Sequence, residues 1–145
     1  MAIWSVNRIA GGFRKDEIFE VIADGNPIAT LNNTRSTFEL RDRPYNVAEG
    51  QLKSGDSVIA SSRQKPFFNH HTVTFAGREW IFKATNFTAS KFGLFEEETQ
   101  IGSLSPGGYF SRLKGIQVDL PDHVPEELRL FLLSLYVGKL TEPSN

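Results

Sequence analysis

The sequence predicts a mainly β fold: a closed antiparallel β-barrel of about twelve strands around a buried hydrophobic C-terminal α-helix. From residue 3 to residue 120, short segments rich in Val, Ile, Thr and Phe are broken at short intervals by Gly, Pro, Asn or Asp, which is typical of antiparallel sandwiches and barrels. Residues 124–140 form a single apolar stretch of helical length. Because a helix that is apolar on every side must be covered all round, a sheet that curls around it is expected.

Period-two alternation defines the strands. Phe19, Val21 and Ala23 fall on one face of a strand because successive side chains point to opposite faces. The candidate strands are IWSVNRI, EIFEVIAD, PIATL, STFEL, YNVAE, DSVIASS, HTVTFAG, EWIFKATNF, KFGLFEE, QIGSLS, GYFSRLK and IQVDL.

Turn residues separate these segments. Asp24-Gly25 stands where a two-residue hairpin requires positive φ, and LKSGDS, FAGREW and SPGGYF supply Gly at further reversals. Most connections are therefore expected to join sequence neighbours as antiparallel pairs.

The helix is predicted over about residues 124–139. Pro125 suits the first turn, while Gly138 and Lys139 suit the last. The stretch VPEELRLFLLSLYVGKL is 17 residues long, or about 25 Å as a helix, and its apolar part is shorter than the roughly 20 residues that cross a bilayer. Burial within protein is therefore expected in preference to membrane insertion.

The length and composition narrow the class of protein. A chain of 145 residues is expected to form one domain, residues 1–140, followed by a frayed tail, residues 141–145. The formal net charge of −1 provides no general basic field for nucleic acid. The absence of Cys excludes disulfides, thiolate metal sites and cysteine nucleophiles. Without a signal-like N-terminus or a spanning segment, a cytoplasmic protein is expected, with peripheral membrane association left open.

The run FGLFEEETQIGSLSPGGYFSRLKGIQVDLPDHVPEELRLFLLSLYVGKL, residues 92–140, resembles the tubby C-terminal-like superfamily. That superfamily includes tubby proteins, phospholipid scramblases and LURP-one-related proteins, and this chain looks most like its small stand-alone members. The resemblance implies an antiparallel barrel that encloses a hydrophobic C-terminal helix. Within the superfamily, tubby proteins bind phosphoinositide headgroups through basic residues, but those residues are not matched to particular positions of this sequence. The scramblase calcium feature does not carry over, because no D-x-D-x-D-G loop is present.

The segment SSRQKPFFNHH, residues 61–71, supplies the candidate ligand-binding residues Arg63, Lys65, His70 and His71. Cations beside Phe67 and Phe68 could bind a phosphate headgroup or an acidic partner. The alternative interpretation is a long hairpin loop whose two Phe side chains pack back onto the barrel.

No catalytic residue, cofactor or metal site is predicted. His70 and His71 are adjacent on a strand, so their imidazoles point to opposite faces and cannot easily chelate one ion. The S-x-x-K match at Ser111 to Lys114 lacks the helix start that this motif requires. The carboxylates of residues 96–98 are expected to be solvated.

Three functions stay open at this point. The leading hypothesis is a non-enzymatic binding or regulatory module for a phospholipid headgroup or a protein partner. The alternatives are a lipocalin-like carrier of a small apolar ligand and an enzyme with a surface site that includes His70, His71 and residues 96–98. The carrier requires an empty apolar lumen, so the position of the C-terminal helix discriminates it from the other two.

Overall fold

The computed structural model describes residues 3–12, 15–65, 69–107 and 113–141. These residues form twelve β-strands and one α-helix. The strands are β1 (Ile3–Ala10), β2 (Ile18–Ala23), β3 (Asn26–Asn32), β4 (Thr37–Leu40), β5 (Arg43–Ala48), β6 (Gln51–Ser54), β7 (Ser57–Gln64), β8 (His70–Phe75), β9 (Arg78–Ala84), β10 (Phe92–Glu96), β11 (Thr99–Ser105) and β12 (Lys114–Asp119), and the helix is α1 (Glu126–Leu140).

The strands close into one antiparallel barrel in which sequence neighbours pair and β1 completes the ring against β12. The closing seam places Trp4 opposite Val118 and Val6 opposite Ile116. On the next seam, Gly102 of β11 allows a close approach, because a Cβ there would lie 2.6 Å from the carbonyl oxygen of Asp119. The predicted mainly β fold and its closed antiparallel barrel are therefore confirmed.

The predicted turn chemistry is present at the tight hairpins. Asp24 and Gly25 have φ values of 51° and 78°, and Ala76 and Gly77 have values of 52° and 78°. Positive φ at both central residues matches the twist of the flanking strands.

One strand of the structure was not predicted, and one predicted strand lies mostly outside the described residues. β6 was not predicted, because QLKS contains a single apolar residue, Leu52, and no alternation can be counted. The predicted strand GYFSRLK, residues 108–114, falls mostly on residues 108–112, which lie outside the described residues; Lys114 opens β12. The total of about twelve agrees, although the two sets of strands differ.

The helix begins after Pro125 and ends at Leu140, so Gly138 lies within it. Eight of its side chains are buried and are spread around most of the helix circumference, whereas Glu127 and Ser134 are half-buried and Gly138 is exposed. The buried residues are Leu128, Arg129, Leu130, Phe131, Leu132, Leu133, Tyr136 and Val137. All of these except Arg129 belong to the same hydrophobic core as the buried strand residues. No helix in the described part of the chain is both long and apolar enough to cross a membrane.

Contacts fix both ends of the helix. The guanidinium of Arg41, in the β4–β5 turn, donates two hydrogen bonds to the carboxylate of Glu126, at 3.0 and 2.9 Å. At the other end Asn33, which follows β3, donates to the hydroxyl of Thr141 at 3.0 Å. Thr141, assigned from the sequence to the frayed tail, caps the helix by donating to the Val137 carbonyl. The rest of that tail, residues 142–145, lies outside the described residues.

Candidate functional site

The four predicted binding residues lie where β7 ends and β8 begins, but they do not share one face. Arg63 is exposed on β7, opposite Thr72. His70 pairs with Lys83 of β9, whereas His71 pairs with Phe82, whose side chain is fully buried. The expectation that His70 and His71 point to opposite faces agrees with this strand geometry.

Lys65 follows β7 and belongs to the same hairpin, because its backbone N–H donates to the His70 carbonyl at 2.9 Å. Phe67 and Phe68, the predicted aromatic partners of these cations, lie outside the described residues. Residues 61–64 and 70–71 are strand, so the connection is shorter than the loop expected from the sequence.

Arg63, His70 and Lys83 form the outer cation cluster, on the face of β7, β8 and β9 that points away from the core. His70 and Lys83 are directly opposite each other in the β8–β9 register. Lys83 Nζ lies 4.7 Å from the centroid of the Phe95 ring, a cation–π distance. Among the described residues, none of the three side chains forms an ion pair with a carboxylate. Arg63 and Lys83 therefore carry positive charge without a carboxylate in ion-pair contact within the described residues, although Glu49 and Glu79 line the same surface cavity as Arg63.

His71 faces a cavity of about 580 Å³ at the end of the barrel where the helix ends. Its Nδ1 lies 3.0 Å from the Ser62 hydroxyl oxygen, so this hydrogen bond orients the ring. Burial, with a smaller contribution from neighbouring His70, lowers the pKa of His71 below its ordinary value. The neutral imidazole is favoured in this environment.

The cavity combines an apolar floor with a polar rim. Hydrocarbon surface comes from Leu31, Val47, Phe92 and Leu135, and hydrogen-bonding groups come from residues that include Asn33, Gln64, Asn69 and His71. A cavity of this size and mixed lining is typical of small-molecule sites.

The described residues beside His71 contain two of the three side-chain types of a hydrolase triad, a serine and a histidine. The Ser62–His71 pair has no carboxylate hydrogen-bonded to the imidazole within the described residues, so the third member of a hydrolase triad is missing from that part of the chain. The described residues also contain no group of three metal-ligating side chains. Ser111, the first residue of the S-x-x-K match, lies outside them.

Glu96 has a structural role that the sequence did not indicate. Its Oε1 accepts hydrogen bonds from Arg78 at 2.9 Å, Trp80 Nε1 at 3.2 Å and His123 Nε2 at 2.8 Å. The His123 hydrogen bond is the main reason that the pKa of Glu96 is lowered. Glu96 ends β10 and His71 lies near the start of β8, so the two side chains lie towards opposite ends of the barrel. A surface enzyme site combining them is not assembled.

The loop from Thr85 to Lys91, between β9 and β10, contains the most exposed large apolar side chain of the described residues, Phe87. The sequence pattern EWIFKATNF predicted a strand that includes Phe87, but β9 ends at Ala84. Asn86 supplied a signal for the loop, because Asn side chains commonly bond the backbone in turns.

No protein-family model, curated protein or solved structure matches this chain.

Proposed function

We propose that this chain is a non-enzymatic binding module, a tubby-like barrel whose lumen is occupied by its C-terminal helix. We propose further that it recognises a phosphate-bearing lipid headgroup through the outer cation cluster. The observation that carries this proposal is the direct opposition of His70 and Lys83 with Arg63 on the adjacent strand, without a carboxylate partner in the described residues.

The position proposed for the helix directs the search for ligands to the outer face and the rim. Support comes from the burial of eight helix side chains around most of the helix circumference and from hydrogen bonds at both helix ends, to Glu126 and Thr141. A helix held in this way leaves little lumen for a ligand, so a binding surface is sought where polar side chains reach solvent.

Phosphate is the chemistry that best complements the cluster. A guanidinium donates in a planar fork that matches phosphate oxygens, and an ammonium group adds a compact charge. An anion bound between Arg63 and Lys83 would interact with two cations held on strands that flank β8, which gives a physical reason for selectivity towards multiply charged phosphate groups.

The experiment separates headgroup chemistry from general charge. Inorganic pyrophosphate is titrated against the ¹⁵N-labelled protein, and co-sedimentation uses phosphatidylcholine vesicles with and without phosphatidylinositol phosphate. Arg63→Ala combined with Lys83→Ala is expected to weaken pyrophosphate binding about tenfold or more, because two charge-assisted contacts are lost. The matched control removes two cations from β5 and β6, Arg43→Ala with Lys53→Ala, and should leave the affinity within about twofold.

If both double variants lost the same amount of pyrophosphate affinity, binding would depend only on the net charge of the protein, and the proposal would be contradicted. Binding of neither pyrophosphate nor the anionic vesicles would contradict it as well. In that case the remaining hypothesis would be a module that binds a protein partner.

A second candidate function, a carrier of a small ligand, is favoured by the cavity beside His71. Its volume of about 580 Å³ and its floor of Leu31, Val47, Phe92 and Leu135 suit a small, partly apolar molecule. Mass spectrometry of the native and the denatured protein tests this candidate. A molecule released from the wild type and missing from Leu135→Trp, which fills the cavity, would support the carrier. A ligand-free wild type purified under native conditions would count against it.

A further inference from the structure

Phe87 stands apart from every other large apolar side chain in the described residues. Its exposed fraction is 104%, whereas the next most exposed, Ile9, reaches 55%. A side chain with this exposure makes almost no contact with its own protein. Single exposed apolar residues are common on protein surfaces, so exposure alone does not indicate function. The structure of the loop that carries Phe87 shows whether this side chain could fold back onto the protein.

The loop is closed by its own polar side chains. Asn86 Oδ1 accepts hydrogen bonds from the backbone N–H groups of Ser90 and Lys91, at 2.9 and 3.0 Å. Asn86 Nδ2 donates to the Ser90 hydroxyl at 2.7 Å, and the Thr85 N–H donates to the Lys91 carbonyl at 2.8 Å. Polar groups therefore fill the interior of the loop, and Phe87 has no apolar surface there on which to fold back.

The helix fixes the base of the loop. The Tyr136 hydroxyl donates to the Ser90 carbonyl at 2.5 Å, and the Tyr136 ring, which is fully buried, meets the edge of Phe92 with 5.7 Å between centroids. The loop position is thus determined by the core. A tip held in this way loses little conformational entropy when it binds.

The charge of this region is positive. The segment from Trp80 to Phe95 contains Lys83 and Lys91 and no Asp or Glu. Lys91 closes the loop, and Lys83 of the outer cation cluster lies two residues before Thr85. An exposed aromatic tip is therefore flanked by cations on both sides along the chain.

From this combination we infer that the loop from Thr85 to Lys91 is a preformed insertion loop. Phe87 enters the interface of an anionic bilayer while the outer cation cluster binds headgroups. The inference rests on the proposed function and extends it, because it identifies the bilayer surface, and not a free phosphate compound, as the source of the phosphate group.

A bilayer fits this surface better than a protein pocket does. Protein interfaces of standard size need an apolar core surrounded by a rim, whereas the neighbours of Phe87 in the loop are Asn86 and Thr88, and its flanking charges are lysines. The membrane interface accepts a single aromatic side chain at headgroup depth, and anionic lipids attract adjacent basic residues.

The test uses the full chain and two tryptophan probes. Phe87→Trp is mixed with phosphatidylcholine vesicles that contain phosphatidylinositol phosphate, and a blue shift of its emission is expected because the indole leaves water. The matched probe is Val58→Trp, at a 51% exposed position on β7, and its emission should not shift. Trp4 and Trp80 are buried, at 1% and 2% exposure, and provide a constant background.

Affinity gives a second measurement. Phe87→Ala is expected to weaken vesicle binding about tenfold, the effect of losing much of one buried aromatic side chain, while its pyrophosphate affinity stays unchanged. An unshifted emission of Phe87→Trp on vesicles that do bind the protein would overturn the inference, and so would equal vesicle binding by Phe87→Ala and the wild type. Both results would leave the proposed function intact provided that pyrophosphate binding persists. Loss of wild-type binding to both probes would overturn the two together.

Discussion

The guanidinium of Arg129 lies 5.4 Å from the centroid of the Trp4 ring, and both side chains are almost completely buried. Arg129 Nε donates to the Val124 carbonyl at 2.9 Å, and its Nη2 donates to the Pro121 carbonyl at 2.8 Å. One side chain therefore joins the first strand, the segment that enters the helix and the first turns of the helix. Burial lowers the pKa of Arg129, but the donors that face the two carbonyls remain satisfied.

Arg129→Ala should lower the free energy of unfolding by about 3 kcal/mol, because the buried Val124 carbonyl and the part-buried Pro121 carbonyl each lose a charged donor and the Trp4 ring loses its cation. Arg129→Lys should also destabilise the protein, since an ammonium group cannot reproduce the planar fork. Urea denaturation measures both. Arg43→Ala, at an exposed position on β5, should stay within about 0.5 kcal/mol of the wild type, and an equal effect at both positions would contradict the role given to Arg129.

Leu132→Asp should unfold the domain. The Leu132 side chain is fully buried in the core, and an unpaired charge there costs several kcal/mol against a total stability of roughly 5 to 15 kcal/mol. Circular dichroism and urea denaturation measure the loss. A folded variant with a normal unfolding midpoint would show that this face of the helix is solvated.

Gly138→Ala provides the opposite test on the same helix. Gly138 is exposed within α1, and a Cβ there meets no atom within 4 Å. Alanine should therefore stabilise the protein by about 0.5 to 1 kcal/mol, because glycine is the poorer helix former. A destabilised Gly138→Ala variant would mean that the last turn of the helix is packed against other residues and is not exposed.

Tyr136→Phe should lower the free energy of unfolding by about 1 kcal/mol and loosen the loop from Thr85 to Lys91. The variant loses the hydrogen bond to the Ser90 carbonyl and keeps the ring. Hydrogen exchange is expected to accelerate at the Ser90 and Lys91 amides, with the β1–β2 amides as an internal control. Unchanged hydrogen exchange at the Ser90 and Lys91 amides would show that the Tyr136 hydroxyl does not hold the loop in place.

The stability should depend on pH near neutrality through His71. Its pKa is lowered from 6.5 by burial, so the unfolded chain binds a proton more readily than the folded one does. As pH falls through about 6.5, the folded state should lose stability, and the loss should level off below the folded-state pKa. Urea midpoints of the wild type and His71→Gln, measured between about pH 7.5 and 5, should diverge in this window. Parallel curves would contradict the burial of the imidazole.

A second pH window lies in the acid range. The Arg41 guanidinium holds the pKa of Glu126 below its ordinary value of 4.5, so the ion pair contributes stability above about pH 4.5. That contribution is lost as pH falls through the lower folded-state pKa. Because this pair is partly exposed, it should contribute at most about 1 kcal/mol. Thermal melts at about pH 7 and 3.5 should differ less for Glu126→Gln than for the wild type, with Glu49→Gln, on an exposed turn, as the control.

Local patterns in the sequence were sufficient for much of this architecture. Alternation placed Phe19 and Val21 towards the core, and Asp24-Gly25 indicated a tight hairpin, because side-chain direction and turn geometry depend on a few adjacent residues. β6 was not predicted because a strand with one apolar residue is recognisable only from the strands beside it: Leu52 pairs with Val47 of β5 and with Ala60 of β7.

The candidate site depended much more on tertiary structure. The sequence grouped Arg63, His70 and His71 by proximity along the chain, but the register of β8 against β9 turned His70 towards Lys83 and His71 towards the buried Phe82. Lys83 was absent from the predicted set, because it joins the cluster only through cross-strand pairing with a residue 13 positions away.

The sequence by itself determined a β-rich chain of about twelve short strands, its tight turns and a C-terminal helix too short to span a bilayer, since each follows from composition, period and length. Only the tertiary structure decided that His70 opposes Lys83, that Arg129 is buried against Trp4 and that Phe87 is left in solvent. Exposure and pairing at these positions are set by residues distant in the chain, such as Tyr136 and Ser90, whose 46-residue separation no local pattern encodes.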